Sequence, residues 1–459
     1  MRNESGAFVL KAVLLTLVMT AFSYATSIDL CTHLLKRTSF GVTTMELEKC
    51  LADKNYGASV NRIVDEATRI EPIPVPKCAR TIIRPRVKVP MLSAEERKKF
   101  FRRKRGAGNE LKEWWFDRLV KCDNPFAEKM TLFWHNHFTS SLRKVGQPKP
   151  MFRQNMLLRK HSLGDFSKML HAIVKDPAML IYLDNRSNRK SHPNENLARE
   201  LLELFTLGEG HYGEGDIHAM ARALSGYGVN RNLDFIFRKR WHDDGVKSFL
   251  GKSGKFDADD LIDIILTQKR CSIFIVEKLW REFVNPHPDP KETKRLAKIF
   301  RNSGYRISTL MKAMLKSPFF TDPNNRATLI KSPVDMTVGT MRSLEYHDFD
   351  TKTALRLLRM MGQDIMDPPS VKGWEGGKSW IDTNTLLTRH GFLRRVLRGY
   401  RGYMSSDGVK SVFERGSFAD TPEERALKIL LPQGVVMVPA EKFNRTLETI
   451  LLHPLYQLK

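Results

Sequence analysis

Over most of this chain the apolar positions recur at three- and four-residue intervals, the spacing that gathers them on one face of a helix. The stretch PNENLARELLELFTLGEG, residues 193–210, shows the pattern. Leu197, Leu201, Leu204 and Phe205 share one face, and Asn196, Glu200, Glu203 and Leu207 form the stripe beside it. Asn194 after Pro193 suits an N-cap and Gly208 a stop, which predicts a helix over 195–207. The same spacing predicts helices near 125–138, 151–174, 214–225, 258–284, 290–317, 326–346, 352–361 and 381–398, with others near 421–430 and 440–452. Period-two alternation stands out once, in VNRNLDFIFRKRW (229–241), and predicts a short hairpin. The fold expected is all-α: a large multi-helix body with one small β-hairpin insertion.

The two ends and one internal stretch depart from this pattern. Arg2 and Lys11 precede or flank a nearly uniform apolar run from Ala12 to Tyr24, and Ser23-Tyr24-Ala25 fits the small-x-small rule for cleavage after Ala25. The run is shorter than the roughly 20 residues of a membrane span. Residues 1–25 are thus expected to be a signal peptide, and the mature chain a periplasmic or secreted protein without a transmembrane segment. Residues 26–70 read as a small helical segment, with a Thr43–Glu46 capping box opening TTMELEKCLA. Residues 71–108 read as a surface excursion, proline-rich at first and then densely basic in AEERKKFFRRKRGAG, a second part compatible with a helix up to the glycines. The main helical domain is expected over 109–402, and a less patterned C-terminal extension over 403–459.

Charge changes the picture of partners. The chain carries a net charge of +25; loss of Arg2, Lys11 and Glu4 with the signal lowers it by one, to +24. Such an excess favours anionic partners, either an anionic polysaccharide or another envelope component, and export disfavours nucleic acid. Arg102, Arg103, Lys104 and Arg105, next to Phe100-Phe101, are the densest candidates for that contact; a merely solvated basic loop is the alternative. The five cysteines, Cys31, Cys50, Cys78, Cys122 and Cys271, form no CxxC pair, so a thiolate zinc site has no support. In an oxidising compartment Cys31 and Cys50, across SFGVTT, are the favoured disulfide, and the odd count leaves a thiol over.

Candidate chemistry centres on FWHNHF, residues 133–138. On a continuous helix His135 and His137 point about 200° apart and cannot share a ligand; they converge only where the helix ends. One reading makes them acid/base groups or metal ligands with Glu200 as the catalytic or metal-binding carboxylate, Asn196 and Glu195 orienting or binding, and His242 and Asp243 of HDDG added to the metal set. The other makes them hydrogen-bonded core residues. Trp374 and Trp380, in DPPSVKGWEGGKSW, are either an exposed binding platform or buried corners. No Gly-x-Ser-x-Gly elbow or HExxH helix is present, and GKSGK lacks the spacing of a phosphate loop.

Several stretches together resemble a known family. HLLKRTSFGVTTMELE, TLFWHNHF, DPAMLIYLDN, PNENLARELLELFTLGEG, ARALSGYGV, HDDGVKSFLGKSG, EKLWREFV and MGQDIMDPPSVKGWEGGKSWIDTNTLLTRHGFL follow the order typical of the bacterial "domain of unknown function 1800" family. Tyr227 stands where that family usually has Trp, and Gly213 where a Thr often caps the helix. The resemblance implies export, a mostly helical body and, often, a neighbouring gene for a sulfatase/phosphatase-like protein. It implies no established reaction and no accepted catalytic residues. The expected function is that of an exported cell-envelope protein binding an anionic glycan or envelope partner. A hydrolase or lyase of an extracellular polymer, dependent on a divalent metal, is the alternative.

Overall fold

The computed structural model describes residues 28–459 except 70, 86, 347–348, 404–405 and 433–441. The expected signal peptide, residues 1–25, therefore lies outside the described residues. Helices dominate, and local sequence explains where they start. Thr43 and Glu46 form the reciprocal capping box that opens Thr44–Leu51. Asn124 caps Pro125–His137, whose first residue is a proline with no N–H to satisfy. Long predicted helices are split in two: Pro290–Asn302 and Ile307–Leu315 are separated where Gly304 and Tyr305 adopt left-handed backbone at φ +68° and +59°. The C-terminal pair is Pro422–Leu430 and Phe443–Leu452, close to where periodicity puts it.

The basic stretch is helical and runs on further than expected. It is the first half of one 28-residue helix, Ala94–Lys121, and Gly106 and Gly108 do not break it. A mid-helix glycine costs only about 1 kcal/mol. Burial of Leu111, Trp115, Phe116 and Leu119 further along anchors the same helix, and Gly108 packs on Leu142. The basic residues keep their exposure, now on a rigid rod.

Tyr227–Val229 pairs antiparallel with Phe235–Phe237, as the alternation predicts. A second ladder, Lys247–Phe249 with Lys252–Gly254, is unpredicted; Leu250 and Gly251, both at positive φ, make its two-residue turn.

One contiguous core runs from Ile28 to Tyr456. The N-terminal helix, 28–38, packs through SFGV onto Pro333–Ser343 so closely that a Cβ on Gly339 would overlap the Phe40 carbonyl. The chain's last residues pair with 329–331: Lys459 N–H donates to the Leu329 carbonyl at 2.8 Å and Lys331 N–H to the Gln457 carbonyl at 2.7 Å. Among the described residues no helix is long and apolar enough to cross a membrane.

Cys31 and Cys50 form a disulfide with their Cα atoms 5.9 Å apart, and Cys78, Cys122 and Cys271 are free. The bond closes a short loop between buried cysteines. Replacing both by serine should lower stability by about 3 kcal/mol. Urea denaturation with and without reductant checks this; identical midpoints would show that the crosslink contributes nothing.

Candidate functional site

The end of the FWHNHF helix places its three polar side chains differently. His135 and His137 are 2% and 4% exposed. His135 meets the Trp115 ring edge-on at 5.3 Å and lies 5.9 Å from the Trp374 ring. Burial pushes its pKa down to about 4, against a small opposing pull from Asp367. His137 is pushed well below the usual imidazole range by burial and then by Lys278, so both rings are neutral near pH 7. Asn136, between them, was not singled out in the sequence. Its Oδ1 accepts from Trp374 N–H at 2.6 Å, and its Nδ2 donates to the Trp374 carbonyl at 3.2 Å. Gly373 sits at φ +83°, where a Cβ would overlap the Asn136 side chain, so the clamp requires glycine there. An amide next to a Gly-Trp pair in another motif was the only signal available.

The helix that opens with NENLARE meets FWHNHF through Phe205 in its second half, not through the carboxylates of its first. Phe205 lies 5.9 Å from the His137 ring and 5.3 Å from Phe138. His137 Nε2 donates to the Phe205 carbonyl at 3.0 Å, not to Asn196, Glu195 or Glu200. The reason is a change of helix type: Asn196–Glu200 is α-helical, and Leu201–Thr206 widens into a π-helix. Its last carbonyls are met by side chains. Lys278 Nζ donates to Leu204 O at 3.0 Å and Arg270 Nε to Leu207 O at 2.9 Å. Such donors suit the negative end of a helix. Glu195 and Arg199 form a half-exposed ladder at 3.3 Å that continues to Glu214 at 2.9 Å. Asn194, one residue ahead, is not the N-cap, a position Glu195 takes, but its Oδ1 accepts from Asn196 N–H at 3.1 Å. Glu200 is half-buried, its pKa raised by burial and by Glu203 against an opposing pull from Lys372.

His242 bonds the Ser225 carbonyl at 2.9 Å, and Asp243 takes both Arg222 nitrogens at 2.8 and 3.0 Å. These partners are structural, and the expected metal set of His135, His137, Glu200, His242 and Asp243 is not assembled. Among the described residues no three His, Cys, Asp or Glu side chains are grouped to hold a metal ion.

Beside FWHNHF lies a groove of about 410 Å³ where three of the quoted motifs meet. FWHNHF brings Asn136 and His137, EKLWREFV brings Lys278 and Arg281, and GWEGGKSW brings Trp374 and Glu375. Trp374 and Trp380 are only 5% and 7% exposed, so they are buried corners whose edges wall the groove and not an open platform.

A second groove, about 540 Å³, opens along the basic helix. Lys104, Arg105, Arg143 and Arg359 line it together with Phe101, which is 45% exposed. Its two carboxylates, Asp364 and Asp367, are both bridged by the buried Lys112. Segment 361–380 walls both grooves, the basic one with Asp364 and Asp367 and the other with Lys372 to Gly377.

No curated protein and no solved structure matches the chain. The family described as "Protein of unknown function (DUF1800)" matches residues 33–458, nearly the whole length and all three motifs that meet at the first groove, and the chain belongs to that family.

Proposed function

We propose that the protein acts after export, in the cell envelope, by binding an anionic glycan along the basic face of the Ala94–Lys121 helix. The observation that carries this reading is the convergence of cations from separate segments on one groove. Lys104 and Arg105 come from the long helix, Arg143 from Leu142–Val145 and Arg359 from Thr351–Met360. Lys104, Arg105 and Arg143 make no ion pair among the described residues; Lys112, with Arg359 bridging Asp364 at 2.9 Å, already neutralises the acids beneath them, so three cations are left for a ligand. Arg102 and Arg103 extend the exposed positive face. Gathering like charges costs energy that a polyanion offsets, and salt screens the attraction.

A variant with Arg102, Arg103, Lys104 and Arg105 all changed to alanine removes charge from three exposed side chains and from half-buried Lys104, none in the core, and should fold normally. It should leave a heparin column at distinctly lower salt than the wild type, and its affinity should depend less steeply on salt. Elution at the wild-type position would sink the reading and assign the retention to diffuse charge.

A further inference from the structure

The groove beside FWHNHF differs in kind from the basic face, and we propose that it binds a single carboxylated sugar residue. Arg281 and Lys372 would hold the carboxylate, and Glu375 would accept from ring hydroxyls. The choice of a sugar acid rests on the glycan-binding reading; the anion site itself does not.

Most of the groove's charges are already committed. Lys459 is taken by Asp335 at 2.6 Å and Glu282 at 3.2 Å, and Lys129 shares Asp335 at 2.6 Å. Lys278 is pinned to the Leu204 carbonyl and lies over the Phe274 ring at 5.0 Å. That leaves Arg281, Lys372 and Glu375, all exposed and none in an ion pair among the described residues. Two cations with one carboxylate favour a monoanion that also offers hydroxyl donors over a dianion, which Glu375 would repel.

The volume, about 410 Å³, suits a small molecule and not a folded partner. The wall is preorganised, because Asn136 holds Trp374 by two hydrogen bonds and Gly373 allows that approach. Two groove residues also carry buried polar atoms with no protein partner, Trp374 Nε1 and His137 Nδ1. Buried groups of this kind are normally satisfied, and a water reaching into the wall beside the ligand would fill that role.

Calorimetric titration of the full chain with glucuronate, and with glucose as the neutral control, tests the proposal. Glucuronate should bind and glucose should not. Arg281→Ala and Lys372→Ala should each weaken binding by about tenfold, and Arg281→Lys should recover part of it. The four-alanine variant of the basic face should bind glucuronate as the wild type does. Absence of glucuronate binding by the wild type, or equal binding by the Arg281→Ala/Lys372→Ala double variant, would overturn the proposal. If glucuronate binding responds to these residues while heparin retention ignores the basic face, the groove stands and the helix reading falls.

Discussion

Replacing Asp335 with asparagine should cost roughly 3–5 kcal/mol of folding stability, the cost of breaking a buried ion pair from one side. The carboxylate is buried between two buried ammonium groups, Lys129 and Lys459, each 2.6 Å away, and it also accepts from Ser332 N–H at 3.1 Å. Burial alone would raise its pKa, yet Lys129 and then Lys459 hold it far below the usual carboxylate range. A depressed carboxyl contributes stability above its unfolded pKa of about 3.9 and loses it as pH falls toward the folded value. The wild-type cluster should therefore survive mild acid.

In the variant the amide cannot balance either lysine. Burial already lowers Lys129 to about 8, with Asp335 as the main opposing pull. Without that pull Lys129 sheds its proton more readily, and forcing it to stay charged is what destabilises the fold. The loss should thus be larger at pH 6 than at pH 9. Urea denaturation at the two pH values measures it. A wild-type midpoint at pH 6 would mean that the cluster is not a stability element.

Asp176 should respond to the same substitution in the opposite direction. Its Oδ1 accepts from Met179 N–H and from Gln154 Nε2, each at 2.9 Å, while Gln154 Oε1 accepts from Ser140. It makes no salt bridge among the described residues, and burial raises its pKa to about 7. Because the folded pKa lies above the unfolded one, the chain loses stability as pH rises from about 4 to 7 and then levels off. Asparagine keeps the Oδ1 acceptor, and so the cap of Pro177–Tyr182, without the charge. Asp176→Asn should therefore melt higher than the wild type at pH 8 and about equally at pH 4. At about 1.36 kcal/mol per unit, the gain has an upper bound of about 4 kcal/mol. Melting curves that run parallel across this range would refute the assignment of burial as the cause.

The contrast between these two aspartates also marks what the sequence could reveal. Helical period is a local property, so Pro125–His137, Thr351–Met360 and the two C-terminal helices were legible, as were the Tyr227–Phe237 hairpin and the Cys31–Cys50 pair. Each depends on residues close together in the chain. The Asp335 cluster joins positions 206 and 124 residues apart, and the Asn136–Trp374 clamp joins positions 238 apart, with no period to announce either. The extent of the basic helix was missed because two glycines look like a stop, while the burial that overrides them lies downstream at Leu111 and Trp115. The approach of NENLARELLELF to FWHNHF is expected from its polar stripe, yet Phe205 of the apolar face makes the contact. Its hydrogen bonding was not legible, because a π-turn changes which carbonyls are free without changing residue types.

That π-turn bears on how the chain tolerates insertions and deletions. Deleting one residue within Leu201–Thr206 would let the segment relax to an ordinary α-helix, a local gain in regularity. It would also rotate one flank against the other by about 100°, the angle between successive residues. The acceptors now facing His137, Lys278 and Arg270 would turn away from all three donors together. Chain length through this turn is therefore fixed by the polar contacts on its far side, even though its own residues are ordinary helix formers. Length variation should accumulate instead in exposed connections such as 209–211, where even a Cβ on Gly210 would meet open space.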